Sequence, residues 1–587
     1  MAYGQKREGG YFAKYCIEKV LKDNMPTMYT EKDKFEDSEF NKALAVSGNL
    51  FEHYVGSLLE STCTEKFTVV KEKVRSQSDL EKPRLQSDLH KKEEDTFAAV
   101  FDPNVTVIFN PRISDHFESL LCRHRGETPH DLDPLRVSEP DILVRLDSGW
   151  AAVDVKDHAT YNEKENSGQH ELAFSTLATP SQLNEWTKVR STINKPDDLL
   201  QLSHYYRHLQ ALGLAYSEPI GAIIGRSEAP TLCWLHLDWG RSTPLDTYDR
   251  QFADRLAQRD LGVRLNVDDP TAARPDNPGK YGACKTCEWW NVCKGELEKA
   301  DHLTLLPNIG RTQHQNAIDL GLPTTRSGLA DLSLDEAEEK GWTGSNKISA
   351  YWAARALKAG KMILRDDEAT KEIPQCDIEV DFDLENSLAH WSGTGDDLTL
   401  QPKRLYMYSI VVTENNISKP YQFDRYEGND KAELKVFVDT WKFCQDLIAR
   451  SVAENKTIRF FHYTQPERNW PRELSAKYVG RKGVPSHDEV EEFLESLTDL
   501  YDLATVGRAW PTSGVGLKPL AKFTGYKWGS DKAAGDQSTI WFKTVADPNS
   551  TVKNRAAALA LLRQYGMDDV WAQLHLRRAI LKLDLAT

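Results

Sequence analysis

Short apolar runs that end in carboxylates occur in both halves of this chain, and they constrain its fold more than any other feature. Asp141 opens the run Ile142 to Arg145, and Asp154-Val155-Lys156 closes the next run, after a turn at Asp147-Ser148-Gly149. Asp383-Leu384-Glu385 ends a later run, and Tyr565 precedes Asp569 by one helical turn. Side chains alternate along a strand, so Asp154 shares a sheet face with Lys156, and Asp383 with Glu385. Two acids on adjacent strand ends can share one Mg2+ or Mn2+, which activates water and polarises a phosphoryl oxygen. A lysine beside them offsets charge on a pentacovalent phosphate. A solvated strand end is the plainer reading of either pair taken alone. The expectation drawn from both together is two metal sites in one polypeptide.

At 587 residues the chain has room for two to four domains, and 40% hydrophobic content suffices for ordinary cores. No run of 18 or more apolar residues occurs, and Met1 to Gly10 is polar without a signal-peptide core. A soluble, cytoplasmic protein with no membrane partner is expected. The net charge of -15 argues against a broad, nonspecific DNA coat, while acidic sites and solvated helices leave room for a local basic groove. No Gly-x-x-x-x-Gly-Lys-Ser/Thr phosphate loop is present, so a helicase or other motor would be a separate protein acting in trans.

Residues 11 to 60 read as helices, with Leu50, Phe51, Val55, Leu58 and Leu59 marking one buried face. Glu72 to Asp95 is almost wholly charged and carries Gln-Ser-Asp-Leu twice, at Gln77 and Gln86, which reads as an exposed helical hairpin or mobile insertion. Strands follow at Val105 to Phe109, Ile142 to Arg145 and Ala151 to Val155. A helix from Pro196 to Leu212 and a strand at Ile220 to Ile224 complete an α/β pattern. A second alternating set has strands at Ile378 to Phe382, Leu405 to Val412 and Ile458 to Tyr463. Val436, Phe437, Trp441, Cys444, Leu447 and Ile448 repeat at helical spacing as a core face. The expected division is residues 1-300, a small helical linker at 301-370, and residues 371-587.

The first acid set resembles the RecB-like branch of the PD-(D/E)xK nucleases. That branch carries a glutamate on an early helix in a Gly-x-x-x-Glu setting, matched by Gly48-Asn49-Leu50-Phe51-Glu52. A later helix carries Gln-x-x-x-Tyr, matched by Gln201-Leu202-Ser203-His204-Tyr205. The resemblance implies a restriction-endonuclease-type nuclease domain with Glu52, Asp141 and Asp154 as metal ligands and Lys156 as the catalytic lysine. Gln201 and Tyr205 would orient the site or the DNA backbone. Core packing is the alternative for Tyr205.

Nine cysteines in a long chain without a secretion signal argue against a disulfide framework. Cys284-x-x-Cys287 and Cys293 offer three thiolates in one loop, too few for a closed tetrahedral site, so a fourth must come from elsewhere. Several RecB-like nucleases, including the AddB type and those of CRISPR adaptation, join one cysteine ahead of the nuclease motifs to three after them around a 4Fe-4S cluster. That resemblance implies Cys16 as the fourth ligand, with Cys122 as its rival. Zinc is the alternative to the cluster. Cys63, Cys233, Cys376 and Cys444 lie singly in apolar surroundings and read as buried thiols.

In the linker, Leu306-Pro307-Asn308-Ile309-Gly310 and Asp319 to Thr325 resemble a helix-hairpin-helix element, with a structural hinge as the alternative. Lys347, Arg355, Lys358, Lys361 and Arg365, with Trp352, read either as a basic helix face for a phosphate backbone or as ordinary charged surface. The second acid set resembles the DEDD exonucleases of the RNase H-like mixed α/β fold, in the subtype with tyrosine in its last motif. It implies Asp383, Glu385 and Asp569 as ligands of paired metals and Tyr565 as the group that positions water. Glu467, after Phe460-Phe461-His462-Tyr463, takes the middle acid's place, where the family usually has an acid after an asparagine and an aromatic. Asp381 competes for the first motif and Asp502 for the middle one. Asp502-Leu503 with Leu517-Lys518-Pro519-Leu520-Ala521 resembles a later, mainly structural motif. The order of all these motifs resembles a bacterial family of RecB-like nucleases, some of which continue into a helicase. The implied function is a metal-dependent DNA nuclease acting on single strands or ends in repair or phage defence. The alternative is a non-catalytic nucleic-acid-binding scaffold with one or both sites degenerate.

Overall fold

The computed structural model describes residues 7–35, 39–70, 85–164, 167–267, 277–393, 397–529 and 535–584. The chain is mixed α/β, and its contacts divide it into two compact units. Met1–Glu31, Ala43–Arg274 and Trp391–Leu400 form the first; Lys32–Lys42, Pro275–His390 and Gln401–Thr587 form the second. Among the described residues no helix is long and apolar enough to cross a membrane.

In the first unit the acid-flanked runs become two strands of a nine-stranded sheet among the described residues. Its strands are β1 (Phe67–Val69), β2 (Val107–Phe109), β3 (Ile142–Leu146), β4 (Gly149–Lys156), β5 (Tyr161–Glu163), β6 (Gln169–Thr176), β7 (Thr187–Ile193), β8 (Ile220–Gly225) and β9 (Thr231–His236). They lie in the order β1-β2-β3-β4-β8-β9-β6-β7-β5. The turn at Asp147-Ser148-Gly149 folds β4 back antiparallel on β3, with Leu146 opposite Gly149 and Ile142 opposite Val153. Glycine is needed at 149, because an added Cβ would collide with the Ala215 carbonyl. β4 pairs with β8 in parallel, which requires a crossover, and the helix α2 below lies within it. Val144 and Val153 pack on one side of the sheet, Leu143 and Ala152 on the other. Burial on both faces explains why these strands read as unbroken apolar runs. Helix α1 (Glu39–Thr62) covers one side through Phe51, Val55 and Leu59, and α2 (Asp197–Ala211) the other through Leu202, Tyr205 and Leu209. Trp391 joins the α1 side, its ring 5.2 Å from Phe51 and 4.4 Å from Tyr54, while its backbone N–H donates to Ser47 Oγ at 3.0 Å.

The charged stretch around Gln86 departs from its expectation. Gln77 lies outside the described residues. Gln86–Phe101, however, is a packed helix that buries Thr96, Ala99 and Val100 rather than an exposed insertion. Glu93 is wholly buried and accepts from Arg112 Nε and the Phe117 N–H, and Lys92 donates to Asn110 Oδ1 at 2.6 Å. Composition reads such charges as solvated because their partners lie outside the stretch itself.

The second unit begins with short helices packed around Leu306, Trp342, Tyr351 and Trp352. The helix Ser345–Ala359 buries Trp352, Lys358 pairs with Asp331, and Arg365 pairs with Asp367 and Glu368. Trp352 is therefore core and not part of a basic face, and local acids answer these cations. A five-stranded sheet follows: β10 (Ile378–Asn386), β11 (Leu405–Glu414), β12 (Ile417–Asp424), β13 (Ile458–His462) and β14 (Leu497–Asp499), in the order β12-β11-β10-β13-β14. β11 is antiparallel to both its neighbours, while β13 is parallel to β10 and to β14. Helix α3 (Asp430–Ala453) brings Val436, Phe437 and Cys444 onto Val380 and Phe382, as its spacing predicts. Helix α4 (Pro466–Lys477) follows β13, α5 (Leu517–Phe523) follows β14, and the long α6 (Val552–Asp584) packs on β10 and β11. Gly566 permits that approach, since a Cβ there would lie 2.5 Å from Met407 Cε and 2.7 Å from Ser409 Oγ.

Candidate metal centres

In the first unit Asp141 precedes β3, Asp154 and Lys156 end β4, Glu52 sits on α1, and Gln201 and Tyr205 sit one turn apart on α2. Lys156 Nζ lies 3.1 Å from Asp154 Oδ2 and donates to Gln201 Oε1 at 3.1 Å. Gln201 Nε2 donates to Tyr205 Oη at 2.7 Å, and Tyr205 Oη donates to the Glu139 carbonyl at 3.3 Å. The Tyr205 ring packs in the core, and its hydroxyl accepts from the same glutamine that accepts from Lys156. Asp141 Oδ2 accepts from the Val155 N–H at 2.6 Å.

Asp154 is 1% exposed, and neither of its carboxylate oxygens has a hydrogen-bond partner. A buried carboxylate is costly unless a cation compensates it, and the Lys156 ammonium at 3.1 Å supplies one such charge. Burial, then Asp154 and Glu52, push the Asp141 carboxyl well above the usual carboxylate range. Burial also raises that of Glu52, with Asp154 adding to it and His53 and Lys92 opposing. Burial alone would lower the Lys156 ammonium, yet Asp154, Tyr11 and Asp141 hold it above the ordinary lysine value. The three carboxylates raise one another and are oxygen donors of the kind a hard divalent cation takes, but among the described residues their ligand atoms do not all lie within 4.8 Å of one another.

In the second unit Asp383, Glu385 and Asp569 bring ligand oxygens within 4.8 Å of one another. Trp528 Nε1 donates to Asp569 Oδ1 at 2.8 Å, and Ser538 Oγ donates to Glu385 Oε2 at 3.1 Å. Lys518 Nζ donates to Tyr565 Oη at 3.0 Å and lies 3.9 Å from Asp569 Oδ2. Glu467, in the first turn of α4, is 3% exposed and shares a hydrogen bond with Asp383. Burial with the neighbouring Glu467 and Asp569 raises Asp383 well above its usual range, burial with Asp383 and Asp569 does the same to Glu385, and burial pushes Glu467 up to about 8. Asp383 and Glu467 are thus a closely paired, buried set of acids, both raised above the ordinary carboxylate range. Asp381 lies on the same face but is bound by Arg577, and Asp502 pairs at the surface with Lys371 at 2.6 Å.

Cys284 lies in the turn Gly282–Thr286, Cys287 caps that turn, and Cys293 follows in the helix Trp290–Lys299, all in the second unit. Cys16 precedes the helix Ile17–Asp23 in the first. Cys122 is buried, its Sγ 3.7 Å from His130 Nδ1 and 3.6 Å from the His130 carbonyl. Cys233 and Cys444 are buried, with thiols pushed up to about 12 by burial, while Cys63 and Cys376 are half-buried. Three soft thiolate donors within ten residues suit iron-sulfur or zinc chemistry better than Mg2+.

Several residues at these sites were not marked in the sequence. Lys14 donates to Gln201 Oε1 at 3.0 Å and to Asp198 Oδ1 at 3.1 Å, and Lys92 opposes the rise at Glu52. Lys518 belongs to a stretch read as structural. Only its place two residues before Leu520 in an otherwise apolar turn hinted that a charge was needed there. A scan against protein-family models finds no match, and searches of curated proteins and of solved structures find none either.

Proposed function

We propose that the chain is a metal-dependent DNA nuclease acting on single strands or ends, in repair or phage defence. A RecB-like PD-(D/E)xK site would lie in the first unit and a DEDD exonuclease-like site on an RNase H-like sheet in the second. The observation that carries the reading is the pair of the buried Asp154 and Lys156, 3.1 Å apart at the end of one strand, with Asp141 and Glu52 near enough to be raised by the Asp154 charge. Mg2+ or Mn2+ held by Glu52, Asp141 and Asp154 would lower the pKa of a water and polarise a phosphoryl oxygen. Lys156, steadied by Gln201 and Tyr205, presents an ammonium that neutralises charge developing on the phosphate. In the second unit Asp383, Glu385, Glu467 and Asp569 supply oxygen donors, and Tyr565, steadied by Lys518, orients the attacking water. A 4Fe-4S cluster, or zinc, on Cys284, Cys287, Cys293 and a fourth thiolate would serve structure and not catalysis. A motor protein would deliver unwound strands in trans.

For the second unit alone, Glu467 standing where the resemblance expects an acid after an asparagine and an aromatic favours a second reading, a pocket that holds nucleic acid without cutting it. The test uses labelled single- and double-stranded DNA with Mg2+ or Mn2+. Protein carrying Asp383→Ala and Glu385→Ala still yields shortened products, and adding Asp154→Ala removes them; a wild type that leaves every substrate intact overturns the nuclease reading.

A further inference from the structure

The N-terminal segment forms one wall of the first site. Gly10 runs so close over α2 that an added Cβ would lie 3.0 Å from Gln201 Cγ and 3.1 Å from Tyr205 Oη. Phe12 and Ala13 anchor the next turn in the core, with Phe12 set edge-on to Phe252 at 5.5 Å. This anchoring leaves Tyr11 outside, 51% exposed, and turns Lys14 inward. Lys14 and Lys156 donate to the same oxygen, Gln201 Oε1. The Tyr11 ring centroid is 4.7 Å from Lys14 Nζ and 5.5 Å from Lys156 Nζ. Asp198 holds Lys14 on one oxygen and His158, at 2.9 Å, on the other.

A water-facing aromatic ring with ammonium groups set over it matches what one nucleotide of a single strand offers, a flat base for the open part of the ring and a phosphate anion for the ammonium groups. Bases stack on aromatic rings whatever their sequence, and lysines beside the ring take the backbone charge. A base inside a duplex has both faces covered by its neighbours and cannot reach such a ring without being unpaired. We propose that Tyr11 and Lys14 form a nucleotide subsite beside Asp154 and Lys156 that takes an unpaired base on the Tyr11 ring and its phosphate on Lys14. Single strands and frayed ends are then the substrate class of the first unit. The subsite rests on the nuclease reading of that unit.

Steady-state cleavage of a labelled oligonucleotide and of its blunt duplex in Mn2+ tests it, with Tyr11→Ala, Tyr11→Phe and Lys14→Met beside the wild type, all four in protein that also carries Asp383→Ala and Glu385→Ala so that the first site alone is read. The wild type prefers the single strand. Tyr11→Ala raises KM for the strand roughly tenfold, the loss of one stacked base, with kcat within about twofold, and Tyr11→Phe restores it. Lys14→Met raises KM too and flattens the salt dependence by roughly 0.7 in logarithmic slope. Thermal melting shows whether each variant is folded, and if Lys14→Met is not, the Tyr11 pair still decides. Wild-type KM in Tyr11→Ala, or an equal loss on strand and duplex, overturns the subsite. A wild type that cuts strand and duplex equally removes the subsite and leaves the nuclease reading standing, whereas one that cuts neither removes both.

Discussion

Arg577 closes on Asp381 through two hydrogen bonds, 2.7 Å from Nη2 and 3.2 Å from Nε, with both side chains buried. Tyr565, Asp569, Gln573 and Arg577 follow one another at four-residue spacing down α6, and the acids at 381, 383 and 385 alternate to the face of β10 that this helix covers. The pairing decides which acids remain for a cation. Asp381 has its counter-charge on the helix, whereas Asp383 and Glu385 meet another acid, Asp569. Arg577→Met strands the Asp381 charge, and the second unit should lose about 3–5 kcal/mol in urea unfolding. Adding Asp381→Leu should recover most of that. A single variant as stable as wild type would show that the ion pair contributes nothing net.

Metal binding and catalysis should separate at Asp154 and Lys156. In protein whose second site is removed by Asp383→Ala and Glu385→Ala, Mn2+ at a hundred times its dissociation constant should add about 2.7 kcal/mol of stability. Asp154→Ala should abolish that gain together with cleavage. Lys156→Ala should keep the gain yet lose roughly a hundredfold in rate. Mn2+ stabilisation that survives Asp154→Ala would place the cation elsewhere.

Glu118 ties the first unit's stability to pH. Burial alone would raise its carboxyl, but hydrogen bonds from His208, Arg7 and the Asp133 N–H hold it down to about 2. Its folded value lies below the ordinary 4.5, so its stabilisation is complete above that pH and is lost as pH falls from 4.5 towards 2. Linkage sets the loss at roughly 3 kcal/mol. Glu118→Gln should be less stable at pH 7 and flatter across this window in acid titrations followed by circular dichroism. An unchanged acid profile would count against the network.

The cysteines make a chemical prediction. Protein purified without air should be brown, with the broad visible absorbance of thiolate-ligated iron and sulfide. Cys287→Ser and Cys16→Ser should lose iron, while Cys122→Ser should keep it, because that thiol already packs between the ring and carbonyl of His130. A colourless protein carrying one zinc would replace the cluster, and iron lost only with Cys122→Ser would replace the ligand.

The strands that carry the acids were legible because both of their faces are buried, so composition alone marked β3, β4, β8 and β10. β7 was not: Thr187–Ile193 buries Ser191 and leaves Thr187, Lys188, Arg190 and Thr192 exposed, a pattern indistinguishable from a loop. The cations were hidden for a different reason. Lys14 finds Asp198 and Gln201 at 184 and 187 residues' separation, and nothing local distinguishes it from a surface lysine. Asp381 and Asp383 were equivalent by alternation, and only Arg577, 196 residues beyond Asp381, separates them.

The second site is tested by what it does without the first. Asp383→Ala with Glu385→Ala should keep cleavage that depends on Lys156 but lose any one-nucleotide trimming of ends, since the remaining acids, Glu467 and Asp569, do not make a metal pair on one strand. Burial and mutual repulsion raise Asp383 and Glu385 towards protonation, so Mn2+ binding here must displace protons and should weaken as pH falls. Calorimetric titration at two pH values reads both points together. Heat that is identical in wild type and double variant would mean that these acids bind no metal, and a wild type that binds Mn2+ yet never trims would leave the second unit as a pocket that holds nucleic acid.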